Sequence, residues 1–599
     1  MAYVRVALAQ TNPVTGDLAG NAYHIVEGIR KAKAEGADVV VFPETAITGY
    51  CCGALFEQKD FIQYNKKLLE EIIAKEVPEN LVAVVGFVDY KGQRKSGNML
   101  ITNSAAVIQG GKVLNIYDKT LLANDDHHED RKYFAPGSTV SVVSIKVNGK
   151  RFTLGTPICE DAWKDDHSRD IIAEMKAKGA DLIACLNESY FYYGKHHKRY
   201  ALFGEHAKEK RIPIINMNAV GVGDIVKNIM IYDGGSMAYD SAGNLAAELR
   251  RFGSDFQIVD LPLKGAAGKT LEERVYEKYD EIYDALLYEQ RELFRVIGIQ
   301  NAQVHVSGGI DSAIVAALVA DAMGKDHTIL ITNPTNDNGE TTRSNAQHIA
   351  DQLGITLYWN STQEPVDTVM KQHELAFGKQ PTLTGKACMQ AVMRTVQGIG
   401  AYHTFKSGIV AAGNHTEIVE GWATFHDIGS IGVHSLIGDL TKVELYQFAE
   451  YINQRHGREI IPSSLYNGTT LPMAELADAK EDPLDYWVRA GIDAEMIRNK
   501  KGLLDIIKDY KRRSLTPDFF PRDWQGRTIY EHIDEQGFIK NVVEAFRNSK
   551  RSVFKAAQAA PIVIISPRSR GFSNRETIIN HYAGWYDLEE LKAMLEEEA

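Results

Sequence analysis

The chain has 599 residues, which is too long for one ordinary hydrophobic core, so the length predicts two or more domains. Hydrophobic content of 44% with charged content of 24% is typical of a soluble globular protein, and a net charge of −12 argues against a nucleic-acid partner bound through a basic face. No apolar run is long enough to span a membrane, so a membrane partner is not expected. Five cysteines form neither a disulfide framework nor a CxxC zinc pattern, and we expect a cytoplasmic protein with reduced thiols.

Short apolar strands alternate with amphipathic helices over the first 260 residues. Strand candidates are VRVALAQ, DVVVFPE, VAVVGFV, FTLGTPIC, DLIACLN and IPIINMN, and helix candidates include 21–35 and 198–210. This alternation predicts an α/β domain. The opening MAYVRVALAQ is too short and too interrupted for a signal peptide and is interpreted as the first strand.

Three reactive side chains follow predicted strands of this domain. Glu44 comes after VVVF, Lys119 after VLNIY, and Cys159 after FTLG. Because active-site residues of α/β domains collect at strand ends, the three can converge despite their separation in sequence. Each type alone is commoner as an ordinary core or surface residue. Together they suit amide hydrolysis, in which a thiolate attacks the carbonyl, a carboxylate moves the proton and an ammonium stabilises the negative charge.

This set resembles the Glu–Lys–Cys triad of the carbon–nitrogen hydrolase (nitrilase) superfamily. ETAITGY (44–50), YFAPG (133–137), NESYF (187–191), GKHHKR (194–199) and YDGGSMAYDSAGN (232–244) are similar to further motifs of that superfamily. The resemblance implies an αββα sandwich that hydrolyses glutamine through a thioester on Cys159. It also implies a glutamine pocket formed by Tyr50, Glu160 and Ser189. Alternatively, Tyr50 and Ser189 are packing or capping groups and Glu160 orients Lys119.

Two histidine pairs, His127-His128 and His196-His197, lie in polar stretches without the i,i+4 spacing of helical metal ligands. We interpret them as solvated loop residues rather than as a metal site.

The pattern changes after residue 262, where a Pro/Gly-rich hinge precedes a long charged helical stretch. We therefore predict a first domain over 1–262, a linker helix over 263–290 and a second domain over 291–599. From residue 300 the strand–helix alternation resumes, which predicts a doubly wound parallel sheet. Residues 480–550 are highly charged and are expected to form surface helices or loops.

The stretch VHVSGGIDS (304–312) predicts a strand, a glycine turn and a helix N-terminus. Unpaired N–H groups and the positive end of the helix dipole then point at one spot, which favours a bound phosphate. Gly308 and Gly309 allow close approach, and Ser307 and Ser312 add hydroxyl donors. Asp311 would repel phosphate unless a divalent cation lay between them, so the loop predicts a nucleotide site that works with Mg²⁺.

SGGIDS resembles the signature of the ATP pyrophosphatase family, whose members cleave ATP to AMP and pyrophosphate while activating a carbonyl oxygen. Segments further along are similar to the NAD synthetases of that family: NPTNDNGETTRSNAQHIADQLGI (333–355), AAGNHTE (411–417), LIGDLTKVELYQFAEYI (436–452) and KAAQAAPIVIISPRSRGFSNRETIINHY (555–582). With the first domain, the resemblance covers nearly the whole chain. It implies that glutamine nitrogen amidates the nicotinate carboxylate of deamido-NAD, with ATP as co-substrate.

The same resemblance implies residue roles. ATP would be bound by Ser307, Gly308, Gly309, Asp311, Ser312 and Lys442. Mg²⁺ would be held by Asp311 and Glu417, and deamido-NAD would contact Arg394 and Glu417. A homo-oligomer is also expected, because proteins of this kind are usually oligomeric.

Some segments depart from the family pattern and leave alternatives open. CMQAVMR (388–394) keeps Arg394 but has Val392 where an arginine is usual, and HDIGSIGVHSL (426–436) keeps only one acidic residue. One alternative is therefore an amidotransferase of the same architecture that acts on another carboxylate. A second is a non-catalytic dinucleotide-binding regulator.

Overall fold

The computed structural model describes residues 3–124, 127–164, 167–225, 227–422, 426–470 and 484–567. The described residues of 3–225 and 229–285 form one compact unit, and those of 227–228 and 286–567 form another. Among the described residues, no helix is both long enough and apolar enough to cross a membrane.

Strands of the first unit are short and mostly buried. In chain order they are β1 (Tyr3–Gln10), β2 (Val39–Val41), β3 (Val82–Gln93), β4 (Met99–Gln109), β5 (Lys112–Asp118), β6 (Val142–Val147), β7 (Lys150–Gly155), β8 (Leu182–Asn187), β9 (Ile214–Asn218), β10 (Val220–Ile225), β11 (Asn228–Asp233), β12 (Met237–Tyr239), β13 (Leu245–Glu248) and β14 (Asp255–Pro262).

Two six-stranded sheets are built from these strands, in the orders β14-β1-β2-β3-β4-β5 and β6-β7-β8-β9-β12-β13. Strands β1, β2 and β3 are parallel, as are β7, β8 and β9, and the outer pairs of both sheets are antiparallel. The two sheets therefore share one pattern of strand directions.

Helices of the first unit cover the outer faces of the two sheets. They are α1 (Leu18–Ala34), α2 (Lys59–Lys67), α3 (Ala74–Glu76), α4 (Asp130–Tyr133), α5 (Ile171–Ala177) and α6 (Lys195–Lys210). Ile25 and Ile29 on one face of α1 belong to a core with Phe42 and Val85, while Met175 and Phe203 pack on the second sheet. Apolar side chains fill the space between the sheets, so the predicted αββα sandwich is confirmed.

A 20-residue helix, α7 (Lys278–Ile297), follows the sandwich. It begins later than the helix predicted over 263–290, and residues 263–277 form neither helix nor strand. Gly265 has φ of +84°, and the Leu271 N–H bonds to the Leu245 carbonyl at 2.8 Å, so this segment follows the sheet edge instead of coiling.

The second unit contains a fully parallel sheet. Its strands are β15 (Asn301–His305), β16 (Thr328–Thr332), β17 (Leu357–Trp359), β18 (Ser407–Ala411), β19 (His434–Ser435) and β20 (Ile562–Val563). They are ordered β20-β19-β18-β15-β16-β17, so the chain reverses its direction of winding between β15 and β18. Ligands of doubly wound folds bind at the carboxyl ends of strands beside this reversal. The predicted doubly wound sheet is confirmed.

Helices of the second unit are α8 (Ile310–Met323), α9 (Glu340–Leu353), α10 (Gln363–Phe377), α11 (Leu383–Phe405), α12 (His415–Glu420), α13 (Lys442–His456), α14 (Tyr486–Ile497), α15 (Leu503–Arg512), α16 (Ile529–His532), α17 (Glu535–Arg551) and α18 (Val553–Ala556). The expectation that 480–550 forms only surface helices or loops is wrong. Helices α14, α15 and α17 enclose a core of their own, which includes Val488, Ile492, Ile506, Phe538 and Val542. Many of the charges lie on the outer faces of amphipathic helices, but Arg489, Glu495 and Arg498 are buried.

We expect Gly86→Ala to destabilise the first unit. A Cβ built on Gly86 in β3 would lie 2.6 Å from the Thr45 nitrogen and 2.8 Å from the Glu44 carbonyl carbon. Backbone atoms cannot move aside as a side-chain end can, and overpacking of this kind costs about 1–3 kcal/mol. The change should shift the unfolding of the first unit to lower urea concentration. Gly268→Ala is the control, since a Cβ there meets nothing within 4 Å; equal effects of both changes would contradict the prediction.

Two candidate active sites

The first candidate site is built around the buried carboxylate of Glu44, just after β2. Its Oε1 accepts hydrogen bonds from Lys119 Nζ at 2.8 Å and from Asn103 Nδ2 at 2.7 Å. Its Oε2 accepts the Glu188 N–H at 2.8 Å. Only 1% of Glu44 is exposed, so three donors take the place of water around the charge.

Lys119 follows β5, and its ammonium lies between two carboxylates. Nζ is 2.8 Å from Glu44 Oε1 and 2.7 Å from Asp130 Oδ2. Burial alone would lower the pKa of Lys119, but the negative charges of Asp130 and Glu44 outweigh it and raise the pKa well above its usual range. The ammonium is therefore a permanent positive charge of this site.

Cys159 follows β7 and begins a short 3₁₀ helix over Cys159–Ala162. Its φ of +45° is a left-handed backbone conformation that residues other than glycine rarely adopt. Such strained residues cluster at active sites, where the surrounding structure holds them in place. Burial and the Glu44 charge raise the pKa of the thiol well above its ordinary value, while Lys119 and Lys195 oppose that shift. A thiol with a raised pKa forms its thiolate less readily, so a base beside it would favour attack on a carbonyl.

Asp161 joins the Cys159 segment to the Lys119 segment. Its Oδ1 accepts the N–H groups of Thr120 and Leu121 at 3.1 and 2.7 Å. Its Oδ2 accepts the Ile158 N–H at 3.0 Å and the Tyr117 hydroxyl at 2.8 Å. Burial raises the pKa of Asp161 to about 6 in spite of these donors. One buried carboxylate thus fixes two of the three predicted catalytic segments against each other.

Tyr50 and Ser189, two of the predicted glutamine-pocket residues, lie in the surroundings of the triad. The Tyr50 hydroxyl donates to Asp130 at 2.7 Å, and the Tyr50 N–H donates to Glu188 at 3.2 Å. The buried Ser189 follows β8, and its N–H donates to Asn218 Oδ1 at 2.9 Å. Both are placed beside the residues that surround Glu44 and Lys119.

Glu160, the third predicted pocket residue, accepts a hydrogen bond from His167 Nε2 at 2.8 Å. Lys119 is instead oriented by Asp130, so the alternative that Glu160 orients Lys119 is wrong. A cleft of about 490 Å³ opens on this side and is lined in part by Thr120, Leu121 and His167.

Three supporting carboxylates, Asp130, Asp161 and Glu188, are absent from the sequence-based site. Asp161 follows Glu160 and Glu188 precedes Ser189, and this adjacency to predicted pocket residues is the sequence feature that could have indicated their role. Asp130 begins the short helix α4 in a polar stretch, and its contact with Lys119 depends on how distant segments fold together, so no local pattern indicates its role.

The expectation that the histidine pairs are solvated is wrong for two of the four side chains. His196 lies on α6, fully buried, with Nε2 2.9 Å from Glu248 Oε1, and burial lowers its pKa to about 4. His127 is also buried, against the ring of Tyr190. Within the described ranges, no group of three or more His, Cys, Asp or Glu side chains is arranged to hold a metal ion.

The second candidate site begins at the Ser307-Gly308-Gly309 turn between β15 and α8. Gly308 has φ of +90°, and a Cβ there would overlap the backbone of Thr342, so only glycine fits. The Ser312 hydroxyl lies 3.1 Å from Ser307 Oγ and from the Gly309 carbonyl oxygen, and it accepts the Ser307 N–H at 3.1 Å. These bonds fix the turn at the N-terminus of α8, where anions bind.

Beside this turn, Lys442 pairs with two carboxylates from different elements. Its Nζ is 2.5 Å from Asp311 Oδ2 and 3.1 Å from Glu417 Oε1. Asn414 Nδ2 donates to the other Asp311 oxygen at 2.7 Å. Burial alone would lower the pKa of Lys442, but the negative charges of Asp311 and Glu417 outweigh this effect and raise the pKa above its ordinary value. Asp311, Glu417 and Lys442 are thus brought together as predicted from three separate motifs.

The donor set of this cluster fits Mg²⁺. Two carboxylates offer the oxygen ligands that this cation prefers, and Mg²⁺ usually takes its remaining ligands from water and substrate phosphates. Asp311 and Glu417 are the residues that would hold it.

Arg394 lines a small cavity of about 50 Å³ together with His305, Ser307 and Asn333. It interacts with Asp427, whose pKa burial raises and the Arg394 charge lowers in part. Glu417 lies instead with Asp311 and Lys442. Of the C-terminal motif 555–582, the part from 568 onward lies outside the described residues.

Comparison with known proteins gives a family match for each unit. Residues 5–268 match the carbon–nitrogen hydrolase family and residues 284–490 match the NAD synthase family. A glutamine-dependent NAD(+) synthetase of Thermotoga maritima is 26% identical over 617 residues, covering 97% of this chain and 99% of that protein. One from Synechocystis is 27% identical over 586 residues, covering 94% and 97%.

Two solved structures share the fold. A glutamine-dependent NAD+ synthetase of Acinetobacter baumannii, in complex with ADP, has 24% identity and a TM-score of 0.68 over 95% of this chain and 97% of its own. One from Cytophaga hutchinsonii has 18% identity and a TM-score of 0.76 over 96% and 97%.

Fold, sites and domain matches together define a two-part enzyme in which a carbon–nitrogen hydrolase unit is joined to an NAD synthase unit. The chain belongs to the glutamine-dependent NAD(+) synthetase family.

We expect Glu44→Gln to make the Cys159 thiol more reactive at rest. The Glu44 charge raises the pKa of Cys159, and glutamine removes that charge while keeping an oxygen that accepts from Lys119. Alkylation by iodoacetamide at pH 8, followed on the Cys159 peptide by mass spectrometry, should accelerate by about tenfold for each unit by which the pKa falls. The exposed Cys388 serves as internal control. Slower alkylation of Cys159 with an unchanged Cys388 rate would contradict this view of the charges.

Proposed function

We propose that this enzyme, a glutamine-hydrolysing carbon–nitrogen ligase, transfers glutamine nitrogen to the nicotinate carboxylate of deamido-NAD. The products are NAD, AMP, pyrophosphate and glutamate. The observation that carries the proposal is the presence on one chain of two complete groups of reactive side chains, Glu44–Lys119–Cys159 and Ser307–Asp311–Glu417–Lys442 with its turn. A non-catalytic regulator would have no need to keep both.

In the first unit, Cys159 Sγ attacks the carboxamide carbon of glutamine. Glu44 takes the thiol proton and passes it to the departing ammonia, then takes a proton from the water that cleaves the thioester. Lys119 stabilises the negative charge that forms on sulfur and on the carbonyl oxygen. The raised pKa of Cys159, caused by burial and by Glu44, supports this order, because the thiol loses its proton only as attack proceeds.

In the second unit, ATP activates the acceptor carboxylate as an adenylate, since a free carboxylate is a poor electrophile for ammonia. The backbone N–H groups after Ser307 and the hydroxyl of Ser312 receive phosphate oxygens at the N-terminus of α8. Mg²⁺, when bound by Asp311 and Glu417, neutralises phosphate charge. Lys442 adds a fixed positive charge, supported by its burial beside both carboxylates.

The proposal includes a cytoplasmic setting and a homo-oligomer. Reduced thiols are consistent with the former, since all five cysteines are free. Val392, Val396 and Ile399 on α11 support the latter, because they expose 37%, 55% and 49% of their surface along the same helix.

Cys159→Ala should abolish NAD synthesis from glutamine while leaving synthesis from ammonium chloride nearly intact. Loss of the nucleophile should lower the glutamine-supported rate by at least about a thousandfold. NAD and AMP formed from deamido-NAD and Mg-ATP are measured with each nitrogen source. Cys185→Ala is the control, since Cys185 is a buried thiol of β8. Loss of both activities in Cys159→Ala would mean that Cys159 is structural or that the two reactions cannot be separated.

Asp311→Asn should stop AMP formation with either nitrogen source. The substitution places an amide N–H₂ where a carboxylate oxygen now faces the Lys442 ammonium at 2.5 Å, and it removes a metal ligand. We expect at least about a hundredfold loss of AMP release. Asp321→Asn on the same helix, where the carboxylate pairs with His456 at 2.9 Å, is the matched control. Unchanged AMP release in Asp311→Asn would refute the metal role.

A further inference from the structure

Two helices, α12 and α13, carry the charged residues that lie with Asp311 in the proposed ATP site. Glu417 lies on α12, and Lys442 is the first residue of α13. The two elements touch directly, since the Lys442 N–H donates to Thr416 Oγ1 at 3.2 Å and the His415 N–H donates to the Leu440 carbonyl at 2.9 Å. The separation of 3.1 Å between Lys442 Nζ and Glu417 Oε1 therefore depends on how α12 and α13 are held.

Helix α12 is held at its C-terminal end by a buried arginine of α14. Glu420, one turn after Glu417, receives both prongs of the Arg489 guanidinium, with Nε and Nη2 each 2.6 Å from a carboxylate oxygen. Asn548 of α17 donates to the same carboxylate at 2.9 Å. Both Arg489 and Glu420 are almost wholly buried, so this pair cannot exchange its bonds for water.

Helix α13 is held at its N-terminal end by a second arginine of the same element. Arg498, at the end of α14, donates to the two oxygens of Glu444 at 3.0 and 2.8 Å and to the Asp439 carbonyl at 2.6 Å. Glu444 in turn accepts the N–H and hydroxyl of Thr441, the residue that caps α13. The guanidinium thus fixes the helix turn from which Lys442 projects.

The two arginines leave opposite sides of α14. They are nine residues apart, about two and a half helical turns, so their side chains point about 180° away from each other. Each meets a buried carboxylate two or three residues beyond a charged group of the ATP site. One helix, α14, therefore contacts both α12 and α13.

We propose that α14 is a positioning element of the ATP site, in which Arg489 sets Glu417 through Glu420 and Arg498 sets Lys442 through Glu444. The inference rests on the proposed function of that site. Arg489 and Arg498 are positioning residues, because each acts through a helix and neither belongs to the phosphate-binding turn. Arginine is required, since a lysine keeps the charge but offers only a point contact where the guanidinium makes two parallel bonds.

The test replaces each arginine in the full chain by lysine and measures ammonium-supported AMP formation and Mg-ATP affinity. We expect Arg489→Lys and Arg498→Lys each to lower kcat/KM for ATP by about tenfold or more, because small displacements of charged groups cost much of the rate. Mg-ATP binding, measured by titration calorimetry, should weaken in parallel. Arg527→Lys is the matched control, since Arg527 forms a similar pair with Asp523 at 2.7 Å but on the outer side of this helical region.

A double-mutant cycle separates positioning from general stability. When Glu417 is already replaced by glutamine, adding Arg489→Lys should weaken Mg-ATP binding by less than about a further twofold. The reason is that the carboxylate positioned by Arg489 is no longer present. A full additional loss in that background, or an affinity within about twofold of the parent in both arginine variants, would overturn the proposal. Where Arg489→Lys fails to fold, Asn548→Ala removes one bond to the same Glu420 oxygen and should give a smaller loss of the same kind.

The affinity measurement also keeps this inference distinct from the proposed function. A parent protein that binds Mg-ATP but forms no AMP with deamido-NAD would refute the choice of acceptor acid, and the effects of the arginine variants on Mg-ATP binding would still decide the role of α14.

Discussion

In each unit, a buried lysine ammonium lies between two carboxylates, and hydrogen bonds from surrounding residues hold these charged groups in place. Lys119 is held by Glu44 and Asp130, and Lys442 by Asp311 and Glu417. Removing the lysine from such a group would leave two carboxylates without their cation, and loss of the partner of a buried charge is strongly destabilising. Each set also has two negative charges for one positive charge. In the first unit the surplus lies beside the thiol and contributes to its raised pKa, and in the second it suits a divalent cation.

Much of this arrangement could be predicted from the sequence, because it depends on where strands end. Glu44 and Cys159 come shortly after the ends of β2 and β7, and the Ser307 turn follows a central strand of the parallel sheet. A run of apolar residues followed by a reactive side chain can be recognised locally in the sequence. Because the carboxyl ends of parallel strands lie at the same edge of a sheet, the reactive side chains that follow them come together there. The strand–helix alternation was therefore enough to predict two α/β units, and the family resemblance added the αββα sandwich and the groups of residues that meet, whose individual roles stay predictions.

Other parts of the two sites could not be predicted, because they depend on contacts between distant segments. Asp130 contacts Lys119 from the start of the short helix α4, and nothing in the polar sequence HHEDRK distinguishes that carboxylate from a solvated one. Arg489 and Arg498 lie in a stretch whose charge density is typical of a protein surface, yet both are buried. A buried arginine is recognisable only once its carboxylate partner is known, and those partners lie 69 and 54 residues away in the chain.

The shared pattern of strand directions in the two sheets has a consequence for the electrostatics of the first site. In that pattern β2 and β8 occupy equivalent places, and each is followed by a buried glutamate, Glu44 after one and Glu188 after the other. The two glutamates meet, since the Glu188 N–H donates to Glu44 Oε2 at 2.8 Å. Glu44 is ion-paired with Lys119, whereas burial raises the pKa of Glu188 well above its ordinary value. Two strands in matching places of a repeated architecture thus deliver one residue type into opposite electrostatic settings.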